Sequence, residues 1–510
     1  MPSSEIQPLL SATHAKPALY NNPSKQHDVE GAIVIDLTDD PKTWSKLVKW
    51  RIILILSLMA FNVSFSCIAV VPISNHILCS LDSKSHSKSA SVLLVTAWEL
   101  GEAIGPLLLA PLSELTGRLP ALHLANAVFI VAHVLAALSK NLLLLILARA
   151  VAGLAVATTV LNPAIVGDMF VMDQRGSAMA VLTVAPILGA ALGPGISGCV
   201  TQTLGWRYVF WMSVFMAGIS QVLLLSCFRE THRVVKTPVG IVKQSLRESI
   251  TKPIAILYSS RTLKALCLSH GMAFAVYCIM TVTLPDIFER GYDQSMSGAG
   301  LSFMSYTTGS CVSILLCHAT LDRISKRLGQ ANNSGVQPEY RLPLASGGAL
   351  LLPACIVLYG WATVIHLSIS IMLLCLALLG IMLTLFSTPI FAYIVDAFGD
   401  YSASATAGVI MTRGLMGVLV PLAVGPVIEV LGYGWSFTML GASCLILSLL
   451  PLVMVMHEGG KWRQWIDGPN HLTILPFQGS YNNMDAVQLN QVKLPFGKPG
   501  CRWKGCPMQS

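Results

Sequence analysis

The chain has 510 residues, 33 Lys and Arg against 25 Asp and Glu for a formal net charge of +8, and a hydrophobic share of 54%. Charged residues make up only 11%, less than half the roughly 25% usual for soluble domains. That is too little polar surface to disperse a protein of this size in water, which excludes a soluble enzyme, a disordered scaffold and a disulfide framework and indicates a polytopic membrane protein.

Residues 1–48 are polar and mixed in charge, with no apolar run long enough for a signal peptide, and read as a tail. Twelve apolar segments long enough to cross a bilayer follow. The first six are 52–71, 90–109, 121–138, 142–166, 178–200 and 208–228; the second six are 265–284, 300–319, 344–365, 367–390, 405–428 and 436–456. The domains expected are therefore a bundle over 49–228, a basic linker over 229–264, a second bundle over 265–457 and a tail over 458–510. An even count puts both tails and the linker on one side. That side then holds 26 Lys and Arg, against five in the opposite loops (Lys84, Lys88, Lys140, Arg207, Arg290). Excess basic charge marks the cytosolic face.

The halves echo each other. Asp168-Met169-Phe170 before span five matches Asp396-Ala397-Phe398 before span eleven, 228 positions on, and Glu114 with Arg118 matches Asp322 with Lys326. Parallel repeats of this kind build transporters that alternate around a midplane site. The chain lacks a G-x-x-x-x-G-K-[ST] phosphate loop and a filter-like Gly-rich loop, which argues against ATP-driven transport and against a channel. The 13 Cys and the His residues follow no metal-ligand spacing, so neither a cofactor nor a metal is expected. Cys501 and Cys506 fall in the C-terminal tail, and the sequon at Asn332-Asn333-Ser334 falls on the cytosolic side, where it would stay unglycosylated.

Several ionisable residues lie inside apolar runs, where a charge costs roughly 2.5–3.5 kcal/mol without a partner or a wet cavity. Arg149 in span four and Arg413 in span eleven each call for either an ion pair or a place on a cavity wall. Glu99 and Glu102 in span two are three apart and so near one helix face, where two carboxylates cannot both hold charge cheaply. That suits a proton carrier, and Glu102, the deeper of the two, is the better candidate. Either acid could instead face water or neutralise Arg149.

The stretch after span two contains Gly105-Pro106-Leu107, Pro111-Leu112-Ser113-Glu114 and Gly117-Arg118, which reads as a tight loop with an acid and a base beside the turn. It resembles the signature loop of the major facilitator superfamily, in the form found in the fungal drug:proton antiporters with twelve spans. Further motifs resemble that family over roughly residues 40–463. They are Asp40-Pro41-Lys42-Thr43-Trp44-Ser45; the R-x-x-x-G of Arg149 to Gly153; the antiporter-type run Gly189, Gly193, Pro194 and Gly198, with Ser197 in place of its third glycine; Pro338-Glu339-Tyr340-Arg341-Leu342-Pro343; and the segment starting at Asp396. The second basic residue common in the signature loop is replaced by Leu119-Pro120.

The resemblance implies an all-α membrane protein of major facilitator fold, twelve helices in two pseudo-symmetric six-helix bundles. It also implies a gate formed by Glu114 and Arg118, an Arg149 that tunes proton binding, and an antiporter motif that seals a leak. The function expected is proton-coupled efflux of small amphipathic organic compounds, such as drugs, toxins or a secondary metabolite, from a multi-pass protein of the plasma or vacuolar membrane. The partners expected are a small-molecule substrate, protons and membrane lipid, with no nucleic acid, and the chain is expected to act as a monomer. Two rivals stand beside this: an uptake symporter or facilitator on the same fold, and a nutrient sensor that binds without transporting.

Overall fold

A computed structural model describes residues 40–81, 88–156, 158–171, 174–231, 251, 253–331, 337–399 and 402–466. The outer parts of both tails, Lys84, most of the basic linker, the sequon, Asp400, Tyr401, Cys501 and Cys506 lie outside these residues.

The described residues are overwhelmingly helical. The first half contains α1 (Lys46–Ile68), the short α2 (Ser74–Leu81), α3 (Lys88–Thr116), α4 (Arg118–Ala137), α5 (Leu142–Leu154), α6 (Thr158–Met169), α7 (Arg175–Thr203) and α8 (Arg207–Cys227). The second contains α9 (Arg261–Asp286), α10 (Met296–Ala331), α11 (Leu342–Val364), α12 (Ile369–Phe398), α13 (Ser402–Cys444) and α14 (Leu450–Ile466). Among the described residues, ten helices are long and apolar enough to cross a membrane. The twelve expected spans reconcile with that number through two local features. Span four is broken into α5 and α6, and spans eleven and twelve are two helices that follow each other directly at a sharp kink at Gly432, whose φ of 74° and ψ of 175° are non-helical. Only a residue without a Cβ adopts that conformation cheaply.

Two expectations are corrected here. The stretch 105–116 is not a loop: Gly105, Pro106 and Pro111 lie inside α3, and the turn is confined to Gly117 at φ 102°. Proline keeps its place because glycine and small neighbours absorb the lost backbone bond, as transmembrane helices often allow. Span eight, expected to end near residue 319, continues to Ala331 and carries Asp322, Arg323, Lys326 and Arg327 on its last turns.

The helices pack with the same pairing in both halves: α3 against α5 and α10 against α12, α1 against α7 and α9 against α13. Glycines set the closest approaches. A Cβ at Gly101 or Gly153 would overlap the backbone of the facing helix at Ala150 or Trp98, and Gly309 and Gly380 face Ala377 and Tyr306 in the same way in the second half. Without a hydrophobic drive between helices in lipid, such close backbone contact supplies much of the packing attraction. Large apolar side chains on the outside, Phe215 at 70% and Leu315 at 69% exposed among them, are what a lipid-facing surface requires.

The two halves meet at the end of the bundle towards which α1 and α9 run, here termed the far end. Asn75 Nδ2 donates to Asp286 Oδ1 at 2.9 Å and Ser297 Oγ to Gln202 Oε1 at 3.4 Å. Gly198 lies against Met296, and Gly300 against Pro194. Ile68, Val71 and Val95 of the first half complete the apolar core of the second.

Candidate functional site

Behind that closed end, at mid-depth, lie two adjoining cavities. One, of about 380 Å³, is walled by α1, α6 and α7 and includes Trp98, Glu102, Asn162 and Thr183; the other, of about 300 Å³, includes Glu99, Phe274, Tyr306 and Arg413. Tyr277 lines both. The walls are mostly apolar, with aromatic rings, and Met179 is the one methionine among these lining residues.

Glu99, Glu102 and Arg413 line these cavities, while Arg149 lies behind Trp98 and Cys67 and lines neither, and the pairs are not those expected. Arg149, 1% exposed, makes no ion pair among the described residues. Its Nη1 and Nη2 donate to the carbonyls of Ser66 and Cys67 at 2.8 and 2.9 Å, its Nε to that of Leu94 at 3.4 Å, and its guanidinium lies 5.0 Å from the Trp98 ring. Ser66 and Cys67 close α1, whose last carbonyls have no partner within the helix and carry its negative dipole end. A planar guanidinium answers that need without a carboxylate, which is why the interhelical ion pair weighed for Arg149 is absent.

Glu102 pairs instead with Arg413. Arg413 Nη2 donates to Glu102 Oε1 at 3.0 Å, and Trp98 Nε1 donates to Glu102 Oε2 at 3.3 Å. This pair links the first half to the second on the cavity wall. Arg413 also lies 4.6 Å from the Phe274 ring. Gly414, next in sequence, sits against Glu99 and Ala103, where a side chain would collide, so α3 and α13 close tightly beside the pair. Glu99 is buried at 8% exposure, and its Oε2 accepts no hydrogen bond among the described residues.

At the near end, Arg118 does not pair with Glu114, which lies exposed. Its Nε donates to Asp168 at 3.2 Å and its Nη1 to Ser113 Oγ at 2.7 Å. The reason is geometric: Arg118 follows Gly117 as the first residue of α4, beyond the turn that would have stacked it over Glu114, and it faces the end of α6. Glu230 caps the same helix start, its two oxygens accepting from the amides of Arg118 and Leu119 at 2.9 Å. The second half repeats the device. Arg341, at the head of α11, bonds Asp396 near the end of α12 and Asp322 at 3.3 Å, so Asp322, the echo of Glu114 in the repeat, is held by Arg341. Asp168 was visible in the sequence only as a repeat marker, and Glu230 gave no signal.

The antiporter-type run has two faces on α7. Gly189 and Gly193 seat α1 at Phe61 and Phe65, while Pro194 and Gly198 seat α10 at Gly300 and Met296. One segment therefore touches both halves. Of the histidines, His133 Nδ1 bonds the Phe129 carbonyl at 2.9 Å, His123 bonds Gln221, and His270 lies among Phe386 and Phe391. These are packing roles.

A family profile described as the Major Facilitator Superfamily matches residues 50–421. The chain belongs to that superfamily. It is 30% identical to the MFS transporter cpaT of Aspergillus oryzae, with 82% of this chain and 88% of that one covered. The efflux pump radE of Floropilus chiversii is 30% identical, with 81% and 80% covered. Among solved structures, a D-xylose-proton symporter superposes with a TM-score of 0.63 at 17% identity over 80% of this chain and 97% of that one, and the human organic anion transporter MFSD10 with 0.59 at 16% over 79% and 99%. The fold is thus the major facilitator fold, and the protein is a multi-span membrane transporter.

Proposed function

We propose that this transporter exports small, largely apolar organic compounds in exchange for protons. The observation that carries the reading is the Glu102–Arg413 pair, an acid and a base from opposite halves meeting on the cavity wall. A proton on Glu102 removes one of the two charges and frees Arg413, which loosens the halves at mid-depth; loss of the proton restores the pair. Binding of a proton and a change of conformation are thereby linked through differential affinity for two states. Efflux rather than uptake is supported by the pump-named relative and by the cavity's apolar, aromatic walls. Such walls suit loose recognition of varied compounds.

The basic linker and both tails are assigned to the cytosol on the Lys and Arg asymmetry. The far end then faces outward, and the present arrangement is inward-facing. The plasma membrane is the assigned location, with the vacuolar membrane the alternative. The test uses cells overexpressing or lacking the protein on a panel of toxic compounds, followed by inside-out vesicles with an acidified lumen. Accumulation of a compound in those vesicles, abolished by dissipating the pH gradient, is the expected result. Accumulation only in right-side-out vesicles would assign uptake, and binding without flux would assign a sensor.

A further inference from the structure

The smaller cavity holds two groups whose hydrogen-bonding capacity is unspent. Glu99 Oε2 is buried and accepts from no described residue, and Arg413 Nε is buried and donates to none, because the guanidinium spends its Nη2 on Glu102. Both residues line the same space of about 300 Å³. A buried acceptor and a buried donor left without partners carry the full cost of their lost hydration, and a ligand that supplies the missing partners recovers it. Beside them stands an aromatic wall. Phe274 and Tyr277 lie 5.5 Å apart by ring centroid, and Tyr277 and Tyr306 5.4 Å. Such a cluster of faces and edges favours a flat π-system over a saturated chain.

We propose that this cavity is the specificity subsite of the transporter and takes a planar aromatic compound bearing both a hydrogen-bond donor, read by Glu99, and a hydrogen-bond acceptor, read by Arg413. The assignment rests on the reading of these cavities as the transport site. It makes Glu99 a substrate-reading residue and leaves proton exchange to Glu102, three residues on. A saturated hydrocarbon of equal size fills the volume but leaves both polar groups unpaired, and sites with buried polar groups reject such analogues strongly.

The test is equilibrium binding to the purified full-length protein in detergent micelles, without any gradient, using a matched set of fluorescent probes. The parent probe is 2-acetyl-6-hydroxynaphthalene. Its comparators are 2-acetyl-6-methoxynaphthalene, which lacks the donor, and 2-ethyl-6-hydroxynaphthalene, which lacks the acceptor. The parent is expected to bind on the order of tenfold more tightly than either, as the cost of leaving one buried donor or acceptor unpaired implies. Glu99→Leu should erase the preference over the methoxy probe and keep the preference over the ethyl probe. Arg413→Lys, which keeps a cation for Glu102 but loses the Nε donor, should do the reverse. Thermal unfolding of each variant checks that it is folded, and Glu99→Met, similar in length but without an oxygen acceptor, serves if Glu99→Leu does not fold and should likewise erase the preference over the methoxy probe.

Equal affinity for all three probes in the unsubstituted protein, absence of binding by any of them, or a donor preference that survives Glu99→Leu would each overturn the proposal. Because the measurement involves neither flux nor a proton gradient, it can succeed while the efflux reading fails in vesicles, and the reverse, so the two are judged separately.

Discussion

Arg413 on α13 and Glu102 on α3 meet at 3.0 Å across the two halves, and Trp98 holds the other carboxylate oxygen. The pair is charge-assisted and partly sheltered, with side chains 21% and 14% exposed, so it is worth more than a surface bridge. Its partners belong to bodies that must separate and rejoin in each cycle.

If Glu102 exchanges the proton, Glu102→Gln lowers gradient-driven transport by at least about tenfold while substrate binding persists, because the amide keeps the shape but cannot cycle between charge states. Transport in proteoliposomes under an imposed pH gradient, read beside equilibrium binding, checks this. A Glu102→Gln protein that still concentrates substrate would remove this residue from the mechanism.

At the near end, Arg118→Ala and Asp168→Asn should each cut turnover severalfold and also lower the thermal unfolding midpoint, since the bond between them joins α4 to α6 and is sheltered, with side chains 10% and 24% exposed. Glu114→Gln should leave turnover within about twofold, because its side chain is exposed and surface substitutions without partners seldom matter. Initial rates in vesicles normalised to protein content decide it. Equal loss from all three would restore Glu114 to the gate.

Arg149→Lys should destabilise the protein by at least about 2 kcal/mol, since a single ammonium cannot take the fork geometry that serves two carbonyls at the closing turn of α1 and the Leu94 carbonyl of α3, and leaves buried acceptors unpaired. The readout is the thermal unfolding midpoint in detergent. An unchanged midpoint would mean that water takes over these carbonyls.

Gly153→Ala should lower the same midpoint, with an overpacking cost of roughly 1–3 kcal/mol, because its methyl group would be driven into the Trp98 carbonyl. Gly218→Ala is the control: nothing lies within 4 Å of a Cβ there. A similar effect at both positions would argue for a helix-propensity effect instead of packing.

The span pattern was legible because hydropathy over some 20 residues is a strong, local signal, and the repeat was legible at Asp168 and Asp396. What escaped were partners distant in sequence. Arg118 finds Asp168 and Glu230, and Arg413 finds Glu102 some 311 positions away; spacing along one helix says nothing of such meetings. The 105–116 segment misled because proline and glycine mark turns in water, whereas within a membrane bundle neighbouring helices tolerate them inside a helix. Arg149 misled for a related reason: a buried cation suggests a carboxylate, yet the end of a helix offers a set of carbonyls that does as well.

The one-residue joint at Gly432 has a mechanical consequence. A single non-helical residue joins the last two spans there, so their far ends stay side by side whatever tilt either takes. Arg413 sits on the first of these spans, and the second runs past Phe437 and on to Ile466 at the near end.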